Sequence, residues 1–318
     1  MFRPESLPSL SGKVFLVTGG NTGIGYSTVL CLASKGARVY LGARSSTKAQ
    51  AAITQIKESS PNADVRPLIM DHKSLSTVVE AAKTFLAKEK SLNGLILNAG
   101  IMACPFEITF DGFESQMQTN YIAHWVLTHH LLPTRLSTSI QQGPGSARVV
   151  NVSSDGHQKT AFGTTEILYD EKELENFGRH GRYGVSKLAN VMHSANINSR
   201  FGPESESVRQ RKGEIWSASL HPGFIDTQMN DLNRDRAPWY LGWLHTVLLF
   251  FCIIRPVNEG CVSSLFTGAS EEFTAEMSGK YFDEKARLKE PNPASKDQEG
   301  LVKLEQWTKE VVGKGGWL

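Results

Sequence analysis

Short apolar runs that alternate with helical stretches are the feature that most constrains the fold of this chain. The runs are of strand length and apolar throughout, which is typical of parallel strands covered on both faces. A strand followed by a helix, repeated along the chain, predicts a doubly wound α/β sheet with its ligand site at the carboxyl ends of the strands. The predicted strands are 14–17, 37–41, 65–69, 95–97, 149–152 and 215–220, and the predicted helices are 23–35, 46–58, 74–89, 112–136 and 181–201.

Polar segments interrupt this pattern at 139–146, 203–214 and 290–297. Strands and helices continue to alternate across the first two, so we predict surface loops rather than domain linkers. Although 318 residues could form two domains, we therefore predict a single domain over 1–318. Apolar residues at helical spacing from Leu301 onwards predict a C-terminal helix within 291–318.

Composition and charge exclude several classes of function. The 34 basic and 32 acidic side chains give a net charge of +2, which offers no electrostatic basis for binding nucleic acid. The cysteines are scattered, without a C-x-x-C pair or a nearby histidine cluster, so we predict neither a disulfide framework nor a metal site. Residues 1–12 lack an apolar stretch, which predicts no signal peptide and a cytoplasmic protein.

A glycine-rich segment follows the first predicted strand and opens the first predicted helix. It reads Thr18-Gly19-Gly20-Asn21-Thr22-Gly23-Ile24-Gly25. Glycines at such a turn let the backbone approach a pyrophosphate, which the unpaired N–H groups of the helix N-terminus then hold. A triphosphate-binding P-loop would need a lysine after the last glycine, where this chain has Tyr26. The turn therefore favours a dinucleotide.

The second predicted strand runs on into Gly42-Ala43-Arg44, about 20 residues beyond the glycine turn, where NAD-binding folds usually place an Asp or Glu on the ribose hydroxyls. This chain has no carboxylate there. A small residue followed by Arg44, with Lys48 nearby, suits a 2′-phosphate, which needs space and positive charge. The alternative is that Arg44 is a solvated surface charge. We predict NADP(H) as the cofactor.

Further polar motifs follow where predicted strands end or on the helices behind them. They are Asp71, Asn98-Ala99-Gly100, Asn120, Ser153-Ser154 and Tyr183-Gly184-Val185-Ser186-Lys187. With the glycine turn, this series resembles the short-chain dehydrogenase/reductase family, whose motifs are T-G-x-x-x-G-x-G, N-A-G, an Asn, a Ser and Y-x-x-x-K. The agreement extends over residues 11–290, and several motifs in register are far more specific than one. The resemblance implies an oxidoreductase with a Rossmann-like parallel sheet of seven strands.

Tyr183 and Lys187 lie four residues apart on a predicted helix and therefore share one face. An ammonium near a phenol stabilises the phenolate, so we expect the pKa of Tyr183 to fall from about 10 toward neutrality. Taken alone, the pair could equally lie on a solvated helix face. The other motifs argue against that alternative.

The resemblance implies a role for each of these residues. Tyr183 would donate a proton during carbonyl reduction or accept one during alcohol oxidation, and Lys187 would also hold the nicotinamide ribose. Ser154 would hydrogen-bond the reacting oxygen, with Ser153 as the alternative, and Asn120 would hold a water of the proton relay. The cofactor-binding residues predicted from the resemblance and the phosphate argument are Gly19, Asn21, Thr22, Gly23, Ile24, Gly25, Arg44, Lys48, Asp71, Asn98, Ala99, Gly100, Tyr183, Lys187, Pro222, Gly223, Ile225 and Thr227.

Several histidines stand near these motifs. His124, His129, His130 and His193 have no carboxylate or cysteine at metal-ligand spacing. We therefore predict that they are structural, with their ring nitrogens satisfied inside the protein.

The long connection from Ser154 to Tyr183 resembles the retinol-dehydrogenase-like and protochlorophyllide-reductase-like branch of the family, as do the stretches 120–128 and 255–260. In that branch the apolar segment, here 239–254, is the substrate loop and cap, which implies a lipophilic substrate. As a helix this segment would span roughly 24 Å, less than the ~30 Å core of a bilayer. It either lines a pocket or rests on a membrane surface.

These observations predict an enzyme that reduces a ketone or aldehyde of a bulky lipophilic small molecule with NADP(H), or oxidises the corresponding alcohol. The alternative is a regulatory or scaffold protein that binds NADP(H) without turnover, which would not need Ser154, Tyr183 and Lys187 together. Helices 112–136 and 181–201 form dimer interfaces in many family members. The chain could therefore form a homodimer through these helices. Alternatively, their apolar residues could pack on the sheet.

Overall fold

The computed structural model describes residues 2–159, 171–223 and 259–318. Of the predicted features, Ile225, Thr227 and the apolar segment 239–254 lie outside the described residues.

Seven parallel strands form one sheet in the order β3-β2-β1-β4-β5-β6-β7, which confirms the doubly wound α/β prediction. From β1 at the centre, the chain adds β2 and β3 on one side of the sheet. It then returns to the centre, where β4 pairs with β1, and adds β5 to β7 on the other side. The order therefore reverses between β1 and β4, and ligands of open α/β sheets bind at such a switch point. The strands are β1 (Val14–Val17), β2 (Arg38–Ala43), β3 (Asp64–Ile69), β4 (Gly94–Leu97), β5 (Arg148–Val152), β6 (Trp216–Leu220) and β7 (Tyr281–Phe282).

Helices cover both faces of the sheet. One helical turn, Ser115–Met117, and a π-helical stretch, Gln118–Ile122, lead directly into the fourth long helix. The described α-helices are α1 (Gly23–Ser34), α2 (Ser46–Ser59), α3 (Leu75–Lys88), α4 (Ala123–Gln142), α5 (Glu171–Asn176), α6 (Arg179–Phe201), α7 (Glu206–Arg209), α8 (Val262–Ala269) and α9 (Gln298–Lys314).

The core is split into two halves by the sheet. Successive side chains of a strand point to opposite faces, so Leu16 of β1 packs in one half and Phe15 in the other. Leu95 and Ile96 of β4 divide in the same way. These strands are apolar at every position because both faces are buried, as the sequence pattern predicted.

The prediction of a surface loop over 139–146 is wrong for its first four residues, because α4 continues to Gln142. The last turn of this helix is held by contacts from far along the chain. The side-chain oxygen of Gln142 accepts hydrogen bonds from Lys13 Nζ (2.8 Å) and Asn93 Nδ2 (2.9 Å). The helix ends at Gly143, whose φ of 91° lies in the left-handed region.

The other polar segments contain short helices. Segment 203–214 includes α7, and segment 290–297 includes a 3-10 turn, Pro293–Lys296, that leads into α9. Asp297 caps α9 by accepting the N–H of Gly300 at 2.9 Å, and Leu301 and Leu304 bury the apolar face of this helix.

Candidate active site

The glycine turn after β1 closes tightly on itself. Gly19 has a φ of 63°, and a Cβ on Gly25 would lie 2.2 Å from the carbonyl oxygen of Gly19. Only glycine fits at Gly25 without moving the backbone. Thr22, the N-cap of α1, makes no capping hydrogen bond through its side chain. The first-turn N–H groups at Gly23 and Ile24 thus resemble the cradle that a phosphate needs.

Thr18 ties this turn to the end of β4. Its hydroxyl oxygen accepts the N–H groups of Asn98 (2.8 Å) and Ala99 (2.9 Å). In return, Asn98 Nδ2 donates to the carbonyl oxygen of Thr18 at 2.8 Å. A Cβ on Gly19 would meet the Cα of Ala99 at 3.0 Å, so the two chain segments are in direct contact. The structure therefore brings together the glycine turn and the Asn98-Ala99-Gly100 motif.

A second link runs from Thr18 to the long helix. The Thr18 hydroxyl lies 2.9 Å from His124 Nε2, and His124 Nδ1 lies 2.9 Å from the carbonyl oxygen of Asn120. Because the hydroxyl oxygen already accepts two N–H groups, its proton points to Nε2, which leaves the Nδ1 proton for Asn120. Burial holds the pKa of His124 well below its usual range, so the ring is neutral and this tautomer is stable.

The side-chain amide of Asn120 is fully engaged as a donor. Its Nδ2 donates to the carbonyl oxygen of Ile101 (3.0 Å) and to Ser186 Oγ (2.8 Å), while Oδ1 accepts the N–H of Ile101 (2.8 Å). A Cβ on Gly100 would lie 3.1 Å from Oδ1 and 3.4 Å from Lys187 Nζ. Gly100 therefore separates Asn120 from Lys187 with little space to spare.

The two serines after β5 have different environments. Ser153 is buried, and its hydroxyl donates to the carbonyl oxygen of Lys187 at 2.7 Å. Ser154 is half-buried, accepts the N–H of Gly156 at 3.1 Å, and hydrogen-bonds the side chain of Tyr183. Ser154 is thus the serine that the structure places beside Tyr183, whereas Ser153 anchors α6 to the sheet.

Tyr183 and Lys187 share one face of α6, with Lys187 Nζ 5.7 Å from the centre of the Tyr183 ring. Lys187 is 3% exposed and donates to the carbonyl oxygen of Val152 at 2.9 Å. Burial lowers the pKa of Lys187 to about 7.

The expectation that Lys187 lowers the pKa of Tyr183 is wrong for this structure. Burial raises the pKa of Tyr183, and the hydrogen bond with Ser154 offsets only part of that rise. The physical reason is desolvation: the same dry surroundings disfavour the phenolate and the ammonium alike. The raised pKa favours the protonated form of Tyr183 near neutral pH.

Two cations lie at the end of β2. Arg44 directly follows the strand, Lys48 lies in the first turn of α2, and both are exposed. Ser45 caps α2 by accepting the N–H of Lys48 at 3.3 Å. Neither cation pairs with a carboxylate of the described residues. The end of β2 therefore carries two cations without an ion-pair partner among the described residues.

The remaining predicted cofactor residues that the structure describes lie at the same edge. Asp71 follows β3, and its carboxylate accepts the N–H of Lys73 at 3.0 Å. Pro222 and Gly223 follow β6, with Gly223 at a φ of 86° and its N–H donating to His221 Nδ1 at 3.3 Å.

Ring contacts inside the protein are described for His129, His130 and His193, three of the histidines predicted to be structural. His193 Nδ1 pairs with Asn151 Oδ1 at 3.1 Å, and His130 Nε2 lies 2.9 Å from the carbonyl oxygen of Trp317. His129 stacks on Trp125 with ring centres 5.2 Å apart. Over residues 2–159, 171–223 and 259–318, no group of His, Cys, Asp and Glu side chains could hold a metal ion.

Sequence reasoning missed Thr18 and Ser186 as parts of the site, and it missed that His124 connects them through Asn120. Ser186 accepts from Asn120 and donates to the carbonyl oxygen of Tyr183 at 2.8 Å. The spacing of His124 four residues after Asn120 was an available signal, since residues so spaced meet on one helix face.

The helices of the described part of the chain include none with the length and apolar character needed to cross a membrane. A family model described as short chain dehydrogenase matches residues 13–166. A short-chain dehydrogenase/reductase of Aspergillus calidoustus is 46% identical over 313 residues, covering 98% of this chain and 97% of that protein. Retinol dehydrogenase 12 of Homo sapiens is 35% identical over 277 residues, covering 86% of this chain and 78% of that protein.

Solved structures agree on the fold. A crystal structure of an uncharacterised protein from Mycobacterium paratuberculosis superposes with a TM-score of 0.72 at 23% identity, covering 98% of this chain and 97% of that one.

Proposed function

The chain belongs to the short-chain dehydrogenase/reductase family, whose members are oxidoreductases, and on that basis we propose that it interconverts a carbonyl and an alcohol on a bulky lipophilic small molecule with NADP(H). The observation that carries the proposal is that Ser154, Tyr183 and Lys187 lie together, with Lys187 next to Gly100 of the segment that contacts the glycine turn.

The residues present fit a dinucleotide. A Cβ at Gly25 would collide with Gly19, so the turn is shaped by the absence of side chains, as close backbone approach to a pyrophosphate requires. We assign the pyrophosphate to Gly19, Asn21, Thr22, Gly23, Ile24 and Gly25, the adenosine side to Arg44, Lys48 and Asp71, and the nicotinamide side to Asn98, Ala99, Gly100, Tyr183, Lys187, Pro222, Gly223, Ile225 and Thr227.

The preference for NADP(H) rests on the charge at the end of β2. A 2′-phosphate adds negative charge that Arg44 can bind with two parallel hydrogen bonds, and Lys48 adds a second cation in the same turn. An NAD-binding site would instead present a carboxylate to the ribose hydroxyls. Neither cation is committed to a described carboxylate, which leaves both able to bind phosphate.

The nicotinamide, when bound, supplies the hydride for reduction or takes it during oxidation. In reduction, Tyr183 gives its proton to the substrate oxygen, and its raised pKa keeps that proton available near neutral pH. Ser154 donates a hydrogen bond to the same oxygen as negative charge develops on it. Lys187, whose Nζ lies 5.7 Å from the centre of the Tyr183 ring, is the proposed holder of the nicotinamide ribose.

Asn120 is the proposed holder of a water in the proton relay. Both of its amide protons go to Ile101 and Ser186, so this water has to donate to an oxygen of Asn120. His124 contacts the carbonyl oxygen of Asn120, and Thr18 in turn contacts His124, so both act as positioning residues for Asn120.

The lipophilic substrate class is supported by the apolar composition of residues 239–254 and by the likeness to a relative named for retinol. The test is NADPH oxidation over a panel of lipophilic ketones and aldehydes, repeated with NADH and with Tyr183→Phe. We expect turnover that prefers NADPH and is lost in Tyr183→Phe, while that variant still binds NADPH. Binding of NADPH by the unmodified protein with no turnover on any panel member would favour a non-catalytic binder instead.

A further inference from the structure

A second buried polar site lies away from the glycine turn, where α4, α6 and α9 meet. It is a cavity of about 30 Å³ lined by residues of all three helices, among them Thr128, Arg135, His193, Arg200 and Glu305. This volume holds about two water molecules or one small ion, because a single water needs at least ~10–15 Å³. Arg200 has a half-exposed side chain, so the cavity can exchange its content with solvent.

Arg135 is an unusual side chain to find here. It is completely buried, and none of its three guanidinium nitrogens has a hydrogen-bond partner among the described residues. Thr128 lines the same cavity, and its buried hydroxyl is also unpartnered within those residues. The two residues are seven apart on α4 and share a face. Two independent donors therefore converge on one small space.

The surrounding charges do not neutralise Arg135. Glu305 is the one carboxylate among the described residues that line the cavity, and it already binds Arg200 and accepts a hydrogen bond from Trp125 Nε1 at 2.9 Å. His193 faces the cavity but is neutral, because burial and the two arginines lower its pKa to about 3. Glu305 offsets Arg200, and one positive charge is left.

That charge persists at neutral pH. Burial lowers the pKa of Arg135 to about 9, which still leaves the guanidinium protonated at pH 7. A buried, unpaired charge is strongly destabilising unless a counter-charge and hydrogen-bond acceptors are supplied. The described residues supply neither, and the cavity beside Arg135 leaves space for an external anion.

We propose that the cavity between α4, α6 and α9 is a binding site for a small monovalent anion of the size of chloride, held by Arg135 and Thr128. The anion accepts hydrogen bonds from the guanidinium and from the Thr128 hydroxyl and balances the remaining positive charge. The small volume of about 30 Å³ favours a monatomic anion over phosphate or an organic sulfonate. The bound ion would join α4, which carries His124, to α6, which carries Tyr183 and Lys187.

The first test is thermal unfolding of the full chain, without nicotinamide cofactor, in sodium chloride and in sodium isethionate at equal ionic strength. Isethionate is a large organic sulfonate and serves as the non-binding salt. We expect the Tm to rise with chloride by roughly 2–4 °C for each tenfold increase above the dissociation constant, and not to rise with isethionate. Equal Tm values in the two salts at all concentrations would overturn the proposal.

The second test locates the ion. Crystals soaked in sodium bromide should show an anomalous peak within hydrogen-bond distance of Arg135, and only water density there would overturn the proposal. In Arg135→Met, both the chloride dependence and the bromide peak should disappear, whereas Arg209→Met, which removes an exposed arginine from α7, should keep both. Thr128→Val is a milder variant that should shift the chloride dependence to higher concentrations. Chloride dependence unchanged in both cavity variants would also refute the assignment.

Discussion

Lys187→Met should make the protein more stable near neutral pH while removing its activity. Lys187 is 3% exposed and its pKa is lowered to about 7, from 10.5 in the unfolded chain. Because this site disfavours the ammonium, Lys187 lowers the free energy of unfolding. The reduction is largest below pH 7 and disappears as the pH rises to 10.5. Met has a similar length and no charge, so the substitution removes the cost without opening a cavity.

The magnitude follows from the shift in pKa. Between pH 7 and 10.5 the unfolded chain binds one proton more than the folded chain at this position. The free energy of unfolding of the unmodified protein should therefore rise with pH, by about 2 kcal/mol between pH 7.5 and 9 from this group. At pH 7 the full cost is roughly 5 kcal/mol. The variant also loses the hydrogen bond from Lys187 to Val152, which costs it about 2 kcal/mol of stability. The net result is that Lys187→Met is more stable than the unmodified protein by about 3 kcal/mol at pH 7.

The assay is urea unfolding without cofactor at pH 7.5 and pH 9, for the unmodified protein, Lys187→Met and Lys57→Met. Lys57 is an exposed lysine in the last turn of α2, so its variant should follow the unmodified protein at both pH values. The stability gap between Lys187→Met and the unmodified protein should narrow by about 2 kcal/mol from pH 7.5 to pH 9. A gap that stays constant, or a variant less stable at pH 7.5, would refute the reasoning.

The remaining predictions concern the cofactor turn, its phosphate and the two serines. Arg44→Ala should lower kcat/KM about 10- to 100-fold with NADPH and leave the value with NADH nearly unchanged, and an equal loss with both would contradict the role of Arg44. Gly25→Ala should abolish NADPH binding in calorimetry because its Cβ would lie 2.2 Å from the Gly19 oxygen, whereas Gly178→Ala, with nothing within 4 Å, should bind normally. Ser154→Ala should reduce kcat about 10²- to 10³-fold. Ser153→Ala should keep kcat within a few-fold and lose about 1 kcal/mol of stability with its hydrogen bond to Lys187, and the opposite ranking in kinetics would exchange the two roles.

The sheet, its helices and the placement of the motif residues were predictable because they depend on local patterns. An apolar run such as 14–17 indicates a strand that is buried on both faces. The glycines from Gly19 to Gly25 indicate a turn that has no space for a side chain.

The features that the sequence did not predict depend on contacts between residues far apart in the chain. The last turn of α4 depends on Lys13 and Asn93, and the contact of Thr18 with His124 joins residues far apart in the chain. The pKa of Tyr183 depends on how dry its surroundings are, which helical spacing does not reveal. The burial of Arg135 could not be predicted, because the same face of α4 carries other polar residues such as Thr128 and Thr138.

The double link between Thr18 and Asn98-Ala99 also limits how this protein can be recombined with its relatives. A graft of β1 to β3 from a relative, made to exchange cofactor preference, would keep these contacts of as little as 2.8 Å only if the donor turn has the same backbone geometry at Thr18 and Gly19. A crossover placed after Gly100 keeps both partners from one parent. The boundary between interchangeable halves therefore lies one strand later than the change of strand order implies.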